Sequence, residues 1–310
     1  MSNYPPNNKK QPPFLKAGSV VGITCPSGYV AYERVAYAVT VLEKWGFKVV
    51  LGKTIGTGEF YFSGTDDERC ADLQTMLDNP EIGAILMGRG GYGMSRILDR
   101  LDLTKFMRKP KWICGFSDIT ALHSDLEASY SVPSLHSPMC GAFTPETENA
   151  PHLLSLYAAL TGAPLTISAP ASPYNRTGTC KAKLTGGNLA LLTHLIGSPS
   201  EVNMDDKILF IEDIGEHLYK IDRMMLTLKR AGKLDNLSGI IFGGFTDMED
   251  TTRPFGQTIE EILWDKVEEY DYPVCFNFPC GHQDINYTLS LGLEHQLTVT
   301  ENGSSLKVIR

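Results

Sequence analysis

Splitting an unactivated acyl bond takes a nucleophile, a base for its proton, a group to orient that base, and N–H donors where negative charge develops. Residues fit for all four roles stand at strand ends in this 310-residue chain. Gly115-Phe116-Ser117-Asp118 follows a short apolar run and precedes a helical pattern, so the Ser117 hydroxyl would project over a sheet edge with a helix N-terminus behind it. The second glycine of a G-x-S-x-G elbow is missing, and serine is also a common helix N-cap. Nucleophile and cap both remain open on these residues alone.

Gly88-Arg89-Gly90-Gly91-Tyr92-Gly93 matches G-x-G-x-x-G between a strand and a helix, the context of a dinucleotide-binding turn. Against that reading, the loop follows the third strand rather than the first, and no strand-ending acid lies about 20 residues on. A tight turn without ligand is one alternative. An anion hole is the other, since glycine lets backbone N–H groups point into a cleft.

A base for Ser117 must come from seven histidines: His123, His136, His152, His194, His217, His282 and His295. His123 and His194 fall inside helical patterns and read as packing or surface residues. His282 stands in the loop Pro279-Cys280-Gly281-His282, polar on its far side through Gln283, Asp284 and Asn286. The apolar run Ile208–Ile211 leads into Glu212, Asp213 and Glu216; an acid at a strand end can orient a histidine, which favours Glu212. Glu216 equally suits the start of the next helix.

Cys25, Cys114 and Cys280 flank these loops, so a Cys–His hydrolase is a competing reading. Cys114 lies inside an apolar strand, however, and Cys280 is too close to His282 in sequence for a natural attack geometry. The seven cysteines are odd in number, scattered and without a CxxC pair, and read as reduced thiols of a cytoplasmic protein. No cluster has metal-ligand spacing, and neither metal nor other cofactor is expected.

The elements that must position these groups alternate. Ser19–Cys25, Phe47–Leu51, Ile82–Met87 and Trp112–Gly115 read as strands; Tyr32–Trp45, a helix opened by the Thr65/Glu68 capping box, Met94–Leu101 and Asp118–Ser129 read as helices. That is an α/β layer with a parallel sheet, and its ligand site belongs at the carboxyl ends of the strands, where Pro26–Tyr29, Gly88–Gly93 and Phe116–Asp118 converge. A loose tail is expected over 1–13, the Rossmann-like N-terminal domain over 14–145, a crossover over 146–178 with one helix near Leu153–Leu160, and a β-rich α/β domain over 179–310. In the last of these, Gly186–Asn188 reads as a turn into an apolar helix, followed by strands at Ile208–Ile211 and Ile240–Phe242.

Length and composition agree with this division. At roughly 100 to 200 residues per domain, two domains are the prior. With 42% hydrophobic and 21% charged residues the chain is globular, and its net charge of −8 argues against non-specific attraction to nucleic acid or anionic membrane. No segment approaches 18 uninterrupted apolar residues, so no membrane anchor is expected. A small molecule or peptide is the expected partner.

Arg89-Gly90-Gly91-Tyr92-Gly93, Gly115-Phe116-Ser117-Asp118, Gly186-Gly187-Asn188-Leu189, Glu212-Asp213-Ile214-Gly215-Glu216 with Tyr219 and Asp222-Arg223, and Gly281-His282 with Asn286 occur in that order. With these five motifs the sequence resembles the LD-carboxypeptidases, serine peptidases that include the microcin C immunity proteins, from about residue 18 to the C-terminus. The resemblance implies Ser117 as nucleophile, His282 as general acid and base, Glu212 as its orienting residue, and the N–H groups of Gly91 and Asp118 as oxyanion donors. It implies a site between the two domains, a homodimer, and release of the terminal D-alanine of a murein tetrapeptide. Arg89, Asn188 and Glu216 are the candidates for substrate contact, Arg89 for the terminal carboxylate. Cys25 and Cys280 depart from the small or polar residues expected there, which touches redox sensitivity and access to the cleft more than mechanism. Cleavage of an aminoacyl-nucleotide analogue is the alternative within the family. Outside it stand a nucleotide-dependent oxidoreductase and an inactive peptidoglycan-binding module.

Overall fold

The computed structural model describes residues 11–58 and 60–309. Most of the expected tail, residues 1–10, lies outside them. Within Gln11–Pro13, Pro12 is buried and the Pro13 carbonyl accepts a hydrogen bond from Trp112 Nε1 at 3.1 Å.

Thirteen strands are found among the described residues, in two sheets. The first contains β1 (Val20–Thr24), β2 (Lys48–Leu51), β3 (Ile82–Met87), β4 (Trp112–Gly115) and β5 (Ser134–His136), all parallel. The second contains β6 (Thr166–Ala169), β7 (Gly178–Asn188), β8 (Ile208–Ile214), β9 (Gly239–Thr246), β10 (Val274–Cys275), β12 (Glu294–Thr300) and β13 (Gly303–Val308), while β11 (Leu289–Leu291) returns to pair antiparallel with β5. The order in the first sheet is β11-β5-β4-β3-β1-β2 and in the second β10-β9-β8-β7-β12-β13-β6. The second sheet is parallel from β10 to β7 and antiparallel beyond it. This is the α/β architecture with a parallel first layer and a mixed, β-rich second one.

The chain passes from β1 outward to β2 and then back across to β3, so the order reverses between β1 and β3. The loops leaving these two strands therefore diverge and open a crevice at their carboxyl ends. Apolar residues cover both faces of the first sheet: Val35, Ala38, Val41 and Leu42 of helix Tyr32–Lys44 on one, Leu73, Met76 and Leu77 of helix Asp66–Asp78 on the other. The Thr65/Glu68 capping box is present, with both reciprocal hydrogen bonds formed.

Two strands differ from expectation. Gly186–Asn188 is not a turn; it ends the eleven-residue strand β7. A side chain at Gly186 would run into the Phe210 carbonyl, with Cβ 1.9 Å from its oxygen, so the glycine there permits a close strand approach rather than a reversal. Strand β8 also continues past Ile211 through Glu212 and Asp213, because both buried acids have hydrogen-bond partners. The expected helix Met94–Leu101 is a four-residue α-helix, Met94–Ile97, followed by a 3₁₀ turn, Leu98–Arg100.

Candidate active site

Strand β4 ends at Gly115, where an added Cβ would press on Ile119 and Met87 at 3.1 Å. The chain then turns sharply. Phe116 is extended, Ser117 has φ +64°, and a 3₁₀ turn over Ser117–Ile119 opens helix Thr120–Asp125. A non-glycine residue at positive φ stores backbone strain, and such strain is concentrated at functional sites. The turn presents the hydroxyl as a nucleophile elbow does, without a second glycine.

His282 arrives from the loop after β10, and its Nε2 lies 3.1 Å from Ser117 Oγ. Its Nδ1 lies 2.6 Å from Glu212 Oε2, an oxygen that also accepts the His282 backbone N–H at 3.0 Å. Glu212 is fully buried on β8, and the Phe116 ring packs on the imidazole at 4.7 Å between centroids. Gly281, at φ +105°, makes the approach possible: a Cβ there would meet Glu212 Cβ at 2.6 Å. Asn286 Oδ1 accepts the Gly281 N–H at 2.9 Å, and the His282 carbonyl accepts Thr246 Oγ1 at 2.5 Å, so both flanks of the histidine are fixed.

The glycine loop adjoins the serine. A Cβ on Gly90 would lie 2.9 Å from Ser117 Cβ and 3.2 Å from its Oγ, and Gly28 N–H donates to the Gly90 carbonyl at 3.0 Å. Gly91 has φ +99° and lies beside the Tyr61 hydroxyl. Gly93 packs on the buried Arg69, which donates to the Gly93 and Pro26 carbonyls and pairs with Asp66. A dinucleotide does not fit this loop: the helix behind it has four residues, and its Met94 N–H already donates to Asp118 Oδ2 at 2.7 Å. That carboxylate occupies the N-terminus a pyrophosphate would need. The Asp118 side chain also accepts Ser27 Oγ at 2.6 Å, and burial raises its carboxyl above the usual range.

Asn188 pairs with Glu212 across β7 and β8, and both Asn188 and Glu216 have partners within the protein. Asn188 caps helix Leu189–His194 through Oδ1 and donates its Nδ2 to Asp213 at 2.8 Å, so its amide is spent internally. Glu216 pairs with Lys220 at 3.0 Å. Arg89 is exposed, gives one N–H to the Tyr29 carbonyl at 2.8 Å, and lines a cavity of about 290 Å³ with Phe116 and Gln283. A larger groove of about 930 Å³ runs along β2 and helix Asp66–Asp78 and contains none of these residues.

Cys25 and Cys280 do not border open space: both are fully buried, and burial pushes the Cys25 thiol up to about 11 and the Cys280 thiol well above its ordinary value. Cys114 is buried likewise and raised. A thiol held protonated is a poor nucleophile, which removes support for a Cys–His pair. No group of three or more His, Cys, Asp and Glu residues poised for a metal occurs among the described residues. Neither does any helix long and apolar enough to cross a membrane. The sequence reading assigned no contact to the Phe116 ring and did not name Tyr61; the packing of Phe116 on His282 and of Tyr61 beside Gly91 is made across the fold and leaves no local signal.

Residues 21–137 match the model of the LD-carboxypeptidase N-terminal domain and residues 181–297 that of the LD-carboxypeptidase C-terminal domain. A probable murein peptide carboxypeptidase of Bacillus subtilis is 32% identical over 294 residues, covering 94% of this chain and 92% of that protein. The microcin C7 self-immunity protein MccF of Escherichia coli is 29% identical, covering 90% of each. The crystal structure of muramoyltetrapeptide carboxypeptidase from Oxalobacter formigenes superposes with a TM-score of 0.85 at 27% identity, over 94% of this chain and 99% of that one.

Proposed function

The chain belongs to the LD-carboxypeptidase family of peptidases, and we propose that it hydrolyses the bond between an L-configured residue and the terminal D-alanine of murein tetrapeptides by a Ser117–His282–Glu212 triad. The observation that carries this reading is the unbroken hydrogen-bond chain from Ser117 Oγ through His282 to the buried Glu212. His282 Nε2 takes the serine proton as Oγ adds to the scissile carbonyl. The imidazolium formed is stabilised by Glu212 and then delivers that proton to the departing D-alanine amine as the C–N bond breaks. Water, deprotonated by His282, adds to the ester; the tetrahedral adduct collapses with return of the proton to Ser117 Oγ.

In this reading the N–H groups of Gly91 and Asp118 receive the oxyanion. Support comes from the pressing of Gly90 against Ser117 and from the 3₁₀ turn that starts at the serine. The setting is cytoplasmic peptidoglycan recycling, in keeping with seven free cysteines. A homodimer is the assembly implied, which sedimentation equilibrium would test.

The deciding experiment incubates the protein with tetrapeptides ending in D-alanine or L-alanine and with an aminoacyl-sulfamoyl adenylate, and reads products by mass spectrometry. Release of D-alanine, with little from the L-isomer, is expected. Preferential cleavage of the adenylate would favour the immunity-type activity, a reading that the similarity to MccF keeps alive.

A further inference from the structure

The cavity of about 290 Å³ beside Phe116 and Gln283 has a lining that the triad does not use. Arg34, Arg89, His152, Asp284 and Asn286 are among the residues that line it. Two of these groups lack protein partners. Asn286 is 6% exposed; its Oδ1 is spent on Gly281, but its buried Nδ2 has no acceptor among the described residues. Leaving such a donor unsatisfied is costly, so an acceptor belongs there when the site is filled. The Arg34 guanidinium, projecting from helix Tyr32–Lys44, is likewise without an ion pair among the described residues, unlike Arg69, Arg96 and Arg100.

We propose that this cavity is a carboxylate subsite, in which Arg34 and Asn286 Nδ2 hold a free carboxylate of the substrate next to the scissile bond. Two guanidinium groups outweigh the one carboxylate of Asp284, so the lining as a whole attracts an anion. Burial lowers the proton affinity of His152, which disfavours a charge on that imidazole. Phe116 and Met139 supply an apolar wall. Phe116 precedes Ser117, and a Cβ on Gly90 would lie 3.4 Å from Met139 Cε and 2.9 Å from Ser117 Cβ, so this wall of the cavity adjoins the serine. A murein tetrapeptide offers two carboxylates near the scissile bond: the terminal one of D-alanine, and the side-chain one when the third residue is diaminopimelate rather than lysine.

The inference rests on the carboxypeptidase reading and is tested beside it. Arg34 is exposed, so Arg34→Gln is expected to fold, checked by its melting temperature. Wild type, Arg34→Gln and Arg34→Lys are compared on four tetrapeptides: lysine or diaminopimelate at the third position, each with a C-terminal acid or amide. A terminal-carboxylate site predicts that Arg34→Gln lowers kcat/KM for the acids about tenfold or more, chiefly through KM, spares residual amide cleavage, and is partly rescued by lysine. A side-chain site predicts instead that the loss falls on the diaminopimelate peptides alone, whatever the C-terminus. Equal losses on all four peptides, or none, overturn the subsite while leaving the peptidase reading intact. Failure of the wild type to release alanine from any of them overturns that reading, and the subsite with it.

Discussion

Ser117 can attack only if its proton has somewhere to go, and its one side-chain partner is the His282 imidazole at 3.1 Å. Ser117→Ala removes that group and no packing contact, so turnover is expected to fall by about three orders of magnitude or more with an unchanged melting temperature. More than a tenth of wild-type activity in this variant would end the triad assignment. Glu212→Gln keeps the shape but turns an N–H toward the imidazole, so kcat is expected to fall on the order of 10³–10⁴ with little change in KM. A loss confined to KM would place Glu212 in substrate binding instead. Buried, protonated thiols make a third prediction: iodoacetamide at neutral pH leaves activity intact, which rapid inactivation paralleling Cys25 or Cys280 labelling would refute. At this scale the meeting of Ser117, His282 and Glu212 was legible because each sits in a short motif next to a strand or within its last few residues. The motif does not announce that Asn188 and Glu216 have partners of their own, Asp213 and Lys220.

Elements dock through buried polar contacts as well as apolar faces, and Asp213 shows the cost. One residue before the end of β8, it accepts hydrogen bonds from Asn188 Nδ2 at 2.8 Å and Ala190 N–H at 2.9 Å, and so holds helix Leu189–His194 against the sheet. Burial is the main reason its carboxyl is pushed up to about 6, above that of an unfolded aspartate near ~3.9. The fold therefore prefers the protonated form. This stability is fully present below the unfolded value and is lost as pH rises through about 6. Asp213→Asn cannot titrate. Denaturant titrations should show wild type gaining stability relative to the variant as pH falls from 7.5 to 4.5, by about 2 kcal/mol. A pH-independent difference would mean that the carboxyl is not raised. The parallel strands of the first sheet were readable as apolar runs between helices. Strand β7 was not, because Gly186 and Gly187 read as a turn and their role becomes visible only against Phe210 and Thr120.

The site exists only when the two sheets are held in one register, since Ser117 follows β4 while Glu212 and His282 ride on β8 and the loop after β10. Gly187 makes a tight joint: a Cβ there would lie 2.6 Å from Thr120 Oγ1 and 2.8 Å from its Cγ2, on the helix that begins just behind Ser117. The adjacent Asn188 N–H donates to the same Thr120 hydroxyl at 3.1 Å. Gly187→Ala must push that helix away, and a displacement of about an ångström between serine and histidine can cost on the order of a hundredfold in rate. We expect kcat to fall by about that factor, with secondary structure retained by circular dichroism. Thr120→Ala alone should be mild, losing one hydrogen bond. Combined, the two substitutions should be more active than Gly187→Ala, because removing the threonine hydroxyl and methyl opens room for the new Cβ; at φ +145° some strain remains, so rescue is partial. If the double variant is no better than Gly187→Ala, backbone strain at 187 rather than the contact with Thr120 governs the docking, and the joint between the sheets lies elsewhere.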